Sequence, residues 1–219
     1  MRWFLDMCII LYSVGEGDCS ELNKKTLKFI KEKGKDDFLL CYYIKEVDIP
    51  KWLNRQRILF KEIIKQIRDN DYIPYSSEES KKLYKRDKNK IIKMTTFLKN
   101  RFNQREAIKK SEKLLLELER RIKEFIDNYI DKFVVPTEEI DFELQSHLKG
   151  FLNLGSAIKN DSDAKTIASA IQEHQNKELV IITADKKDWN KELIKEVHNH
   201  YSLKKQYKKL PKIQYLQNI

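Results

Sequence analysis

The chain has 219 residues, enough to bury a sizeable core as one domain or as one domain with a large insertion. Lys and Arg outnumber Asp and Glu by 44 to 34, and the formal charge of +10 points to a polyanionic partner, although Lys and Ile are the two most used residues and a general compositional bias would give the same sign. Three cysteines (Cys8, Cys19 and Cys41) with no CxxC pair exclude a self-contained disulfide framework. No apolar run is long enough to span a bilayer or serve as a signal peptide, so a cytoplasmic protein with reduced thiols is expected.

Residues 2–12 are apolar around a single carboxylate, Asp6, and read as a buried strand. A charge there must be paired, ligating, or held by backbone donors at the strand end. Gly15 and Gly17 mark a turn, and Cys19 to Lys33 reads as a helix closed by Gly34. Residues 37–44 form a second apolar, aromatic-rich strand, with Glu46 almost directly after it. Pro50 suits a first helical turn, and Trp52, Leu53, Leu59, Phe60, Ile63, Ile64 and Ile67 follow at helical spacing.

From Ser77 to Phe133 there is neither Gly nor Pro. Ile108, Leu115, Leu118, Ile122, Phe125 and Tyr129 form the narrow seam of a helix that packs on another, with residues 78–102 as its partner through Tyr84, Ile91, Met94, Leu98 and Phe102. A helical hairpin over 77–133 is therefore expected as an insertion between core segments 1–76 and 134–219. Between Lys81 and Lys110 twelve basic residues stand against two acids, a face that could grip a phosphate backbone or simply be solvated. Phe97 and Phe102 fall at core spacing, which assigns them to packing rather than base stacking.

Val134, Val135 and Pro136 end the hairpin, and a helix is expected from a Thr137 cap to about His147. Residues 151–158 lead to Asp161, Ser162 and Asp163, one more polar residue than a helix cap needs. They open a helix whose Ala164, Ile167, Ala168 and Ile171 share a buried face. Leu179–Thr183 is a third strand with Asp185 and Asp188 just beyond it. A helix over 189–200 and a last strand over 212–216 complete the pattern. The tail from Lys191 adds seven Lys against two Glu, a second basic area. The alternation predicts an α/β fold with a parallel sheet covered on both sides.

Ligands of open α/β sheets bind beyond the carboxyl ends of the strands, where Asp6, Glu46, Asp163 and Asp185 could converge. Clustered carboxylates repel unless cations neutralise them, and an all-oxygen pocket suits Mg²⁺ or Mn²⁺. Together with a polyanionic partner this suggests metal-assisted phosphodiester hydrolysis. His198-Asn199-His200 lacks the further ligands of an HNH nuclease, His147 and His174 are isolated, and no Gly-rich phosphate loop, GxSxG elbow or zinc spacing occurs.

The run FLDMCIIL from Phe4 to Leu11 resembles the first strand of PIN-domain nucleases. SDAKTIASA from Ser162 to Ala170 is similar to their third acidic motif, and VIITADKKDW from Val180 to Trp189 to their strand-to-Asp signature. The resemblance covers residues 1 to about 70 and 134 to 219. It implies a PIN-like central parallel sheet in which Asp6, Glu46, Asp163 and Asp185 hold one or two divalent metals, with Asp188 as an outer member and Asp48 as the substitute for Glu46. It further implies endonucleolytic cleavage of RNA by in-line attack that leaves a 5′ phosphate, in an RNA-processing factor or the toxin of a toxin–antitoxin pair. Met7 and Cys8 follow Asp6 where the family commonly has a small polar residue and then Asn, and the hairpin is larger than compact toxin-type members need. A catalytically inactive PIN-like scaffold that binds RNA, or a protein partner such as an antitoxin through the hairpin, is the alternative. The oligomeric state stays open, a homodimer included.

Overall fold

The computed structural model describes residues 1–16, 20–34, 36–150, 161–199 and 201–219. Gly17, Cys19, the segment 151–158 and His200, each given a role in the sequence reading, lie outside them. The described residues pack as two compact units, 1–49 with 124–219 and 50–123. None of their helices is long and apolar enough to cross a membrane.

The first unit is built on a five-stranded, all-parallel sheet in the order β3-β2-β1-β4-β5. Its strands are β1 (Arg2–Leu5), β2 (Asp37–Cys41), β3 (Lys132–Val134), β4 (Val180–Thr183) and β5 (Lys212–Tyr215). The central strand β1 is buried along its whole length because β2 and β4 flank it, Phe4 pairing with Leu39 on one side and Ile181 on the other. Such burial explains the apolar run Trp3–Leu5. Helices α1 (Met7–Ser13) and α2 (Ser20–Lys33) pack on each other, and α2 meets the 3₁₀ turn Leu216–Asn218 that closes the chain. A second set comprises α7 (Phe142–Gly150), α8 (Asp161–Asn176), α9 (Lys191–Asn199) and α10 (Tyr201–Gln206), with α7 against α8 and α9, and α9 against α10.

The chain leaves β1 for β2 on one side and β4 for β5 on the other. Right-handed crossovers in opposite directions run over opposite faces of the sheet, which puts the topological switch point at the carboxyl ends of β1 and β4.

Several elements differ from the sequence reading. The apolar run 2–12 is a four-residue strand and then helix α1, so Asp6 is not embedded in a strand but stands between the two. The second strand stops at Cys41, and the chain turns through one π-helical turn, Ile44–Asp48. Residues 132–134 form an edge strand where the uninterrupted pattern suggested helix. Thr137 lies in a 3₁₀ turn instead of capping a helix, and the helix begins at Phe142 with the Asp141 carboxylate accepting from the Leu144 N–H at 2.7 Å.

The second unit contains most of α3 (Ile49–Arg68), a short α4 (Glu78–Lys81), α5 (Lys85–Arg101) and most of α6 (Gln104–Tyr129). It is wider than the expected 77–133 because α3 shares its core. Leu59, Phe60, Ile63 and Ile67 pack with Leu83, Ile91, Leu98 and Ala107. The buried Glu62 carboxylate accepts from the Tyr75 N–H at 2.7 Å and the Tyr72 hydroxyl at 3.1 Å, which pins the loop between α3 and α4. Ile63 has no exposed surface, so Ile63→Ala is expected to cost about 2–5 kcal/mol in urea denaturation.

Candidate metal centre

Asp6 follows the last residue of β1. Its N–H still donates to the Ile182 carbonyl of β4 at 3.2 Å, and its own carbonyl accepts from the Ile9 N–H at 3.0 Å, the first turn of α1. The carboxylate is therefore fixed at the point where strand becomes helix, and it is only 4% exposed. Two groups donate to its Oδ2: the Thr183 hydroxyl at 2.7 Å and the Cys8 thiol at 2.8 Å. Burial raises the Asp6 pKa above its ordinary 3.8, the bonds from Cys8 and Thr183 lower it, and the charge of Asp185 raises it again. The same burial and the Asp6 carboxylate keep Cys8 protonated, its pKa well above the ordinary 9.0.

Thr183 ends β4 and links both aspartates. Its hydroxyl donates to Asp6 and accepts from the Asp185 N–H at 3.0 Å. Asp185 then accepts at Oδ1 from the N–H groups of Lys187 at 2.8 Å and Asp188 at 3.1 Å, which folds residues 185–188 into a turn. Its other oxygen has no donor among the described residues. Cys8 also accepts from the Ala184 N–H at 3.2 Å, so the start of α1 is tied to the chain just past β4.

The other predicted residues stand elsewhere along the carboxyl edge. Glu46 is exposed on the π turn, and its carboxylate accepts from the Thr137 hydroxyl at 2.6 Å. Asp48, two residues on, is half-buried and accepts from Ser162 in the first turn of α8. Asp163 is half-buried in that same turn, and Asp188 is half-buried in the turn organised by Asp185. Asp161 is engaged by Lys149 at 2.7 Å and Lys165 at 3.2 Å, and these lysines, Lys149 first, hold its carboxyl below the usual range. Helix α8 reaches the end of β2, where Cys41 lies 4.0 Å from the Thr166 hydroxyl. The acids thus form two sets, Asp6 with Asp185 between β1 and β4, and Asp48 with the first turn of α8 beyond β2.

Among the described residues no three His, Cys, Asp or Glu side chains come together as a preformed metal cage. A pair of carboxylates nevertheless suits Mg²⁺, which retains several waters and takes one or two protein carboxylates. Asp6 fits on a second count: it is a buried acid whose donors, a hydroxyl, a thiol and the Met7 N–H, are all uncharged, next to another acid. Thr183 was read only as a strand residue. The available signal was its spacing of two from Asp185 at a strand end, which aims both side chains the same way.

Fold and site together define an α/β protein with a five-stranded parallel sheet and paired aspartates at its switch point. Compared with protein-family models, curated proteins and solved structures, the chain matches none.

Proposed function

We propose that the protein is a PIN-like, metal-dependent endoribonuclease of the cytoplasm. The observation that carries this reading is the meeting of Asp6 and Asp185 at the sheet's switch point, with Asp6 buried and, among the described residues, no cationic side chain bonded to it. Asp6 and Asp185 would hold Mg²⁺ or Mn²⁺, and Asp188, Asp163 and Glu46, or Asp48 as its substitute, would be further acids along the carboxyl edge. Such a cation supplies nucleophile activation and neutralises charge during in-line displacement at phosphorus. Thr183 fixes the rotamer of Asp6 through a hydroxyl that is itself fixed by the Asp185 N–H. The exposed Lys186 and Lys187, adjoining Asp185, can attract the phosphates of the strand. A water oxygen would bond to phosphorus as the P–O3′ bond breaks, one water proton would end on the 3′ oxygen as a hydroxyl, and the 5′ phosphate would stay on the downstream product.

Incubation with labelled single-stranded RNA and Mn²⁺ tests this. Cleavage is expected to stop on chelation, to fall by about 10²-fold or more in Asp185→Asn, and to fall roughly 10- to 100-fold in Thr183→Val, which loses the group that orients Asp6. Equal cleavage by wild type and Asp185→Asn would assign the activity to something else.

A second reading, an inactive PIN-like scaffold that binds RNA or a protein partner, is favoured by the Cys8 thiol that occupies Oδ2 of Asp6. Under that reading Cys8→Ser and Cys8→Ala leave RNA uncut in Mn²⁺, as does the wild type.

A further inference from the structure

The basic residues of the second unit are arranged as well as numerous. Along α5, Arg86, Lys90, Lys93, Phe97 and Arg101 recur at spacings of four, three, four and four, so they line one side of the helix. Ile91, Thr95 and Leu98 lie buried on the other. The stripe is about 22 Å long at 1.5 Å per residue. Its own helix contributes no acid to it, since Asp87, the one acid in α5, is buried and faces Arg55 at 3.8 Å. Lys93 is exposed and makes no ion pair among the described residues.

Phe97 breaks the pattern of a merely solvated basic surface. Its spacing suggested a core residue, yet it is 50% exposed, and the Arg101 guanidinium sits 4.5 Å from its ring centroid. The contact holds the ring and leaves it open to a further planar partner. A lysine-rich surface needs no exposed phenyl ring for solubility. A ring standing among cations has the chemistry of a single-strand platform, where phosphates follow the charges and a base stacks on the aromatic face. Duplex bases are already stacked and closed to such a ring.

We infer that this face of α5 binds single-stranded RNA, with phosphates along Arg86 and Lys93 and a base stacked on Phe97. The inference deepens the ribonuclease reading, on which it rests for the choice of RNA. An acidic protein would meet the charges but has no need of the ring, so it is an outcome against the inference.

The test uses the full chain carrying Asp6→Asn, so that binding is measured without cutting. Fluorescence anisotropy follows a labelled RNA of about 12 nucleotides, single-stranded or as a duplex of equal length. The single strand is expected to bind more tightly. Phe97→Ala should weaken it roughly tenfold or more without changing the duplex, and Phe97→Trp should retain it. Arg86→Gln and Lys93→Gln should each flatten the dependence of log K on log salt by about 0.7. Unchanged binding by Phe97→Ala, a preference for duplex, or an unaltered salt slope overturns the inference. Arg86, Lys93 and Phe97 are exposed, and the melting temperature reports whether each variant folds. If the expected binding pattern appears but the wild type leaves RNA intact, the ribonuclease reading fails and the surface stands. If RNA is cut but Phe97→Ala binds normally, the reverse holds.

Discussion

Asp6→Asn is expected to melt above the wild type in metal-free buffer while losing RNA cleavage by about 10²-fold or more. Both effects have one cause. Burial raises the Asp6 pKa and the neighbouring Asp185 charge adds to it, so the ionised carboxylate is disfavoured in the folded protein. The amide keeps an oxygen to accept from Thr183 and removes the charge. Because the folded-state pKa lies above the ordinary 3.8, the folded protein binds the proton more tightly than the unfolded chain. Wild-type stability should therefore fall as pH rises from about that value through the folded pKa, and Asp6→Asn should lack this fall. Added Mg²⁺ or Mn²⁺ should raise the melting temperature of the wild type and leave the variant where it was, since a ligand stabilises only the state that binds it. Thermal melts across pH, with and without cation, measure all of this. A variant less stable than wild type in metal-free buffer would mean that Asp6 serves as a structural cap.

At the opposite edge of the sheet, Arg2 of β1 and Glu173 of α8 form an ion pair with side chains 8% and 9% exposed. Arg2 also donates to the Lys177 carbonyl at 2.8 Å, and Glu173 accepts from Asn176 at 3.4 Å. Removing one partner leaves the other charge buried, so Glu173→Ala should cost about 3–5 kcal/mol in chemical denaturation. The paired replacement Arg2→Met, Glu173→Leu should recover most of that loss, because two apolar side chains avoid the desolvation of both ions. A single variant within about 0.5 kcal/mol of wild type would show the site open to water. As the pair lies at the amino end of β1, these variants should not alter cation binding at the other end.

The sequence exposed the features that depend on neighbouring residues. A lone carboxylate within an apolar run marked Asp6, an aspartate just past one marked Asp185, and Leu179 onward read as a strand close to its observed bounds. Lost information concerned choices made by tertiary structure. The run 2–12 has no period that separates a short buried strand from a buried helix, so its division at Asp6 was hidden. β3 has three residues at the sheet edge and carries almost no pattern. Glu46 followed the second strand in sequence, but the π turn directs it to Thr137 and places Asp48 beside Ser162. The Thr183 hydroxyl on Asp6 and the Ala184 N–H on Cys8 join residues 177 and 176 positions apart and have no local signature. Phe97 was assigned inward by spacing alone, because 97 lies one residue from the buried 98 and periodicity tolerates that error.

In the ribonuclease reading Asp6 and Asp185 share one divalent cation. Titration with Mn²⁺, followed by the loss of its free-ion electron paramagnetic resonance signal, reads this without reference to catalysis. The wild type should take up Mn²⁺, and Asp6→Asn and Asp185→Asn should each bind it roughly tenfold or more weakly. Equal uptake by all three proteins, or none by the wild type, would contradict it.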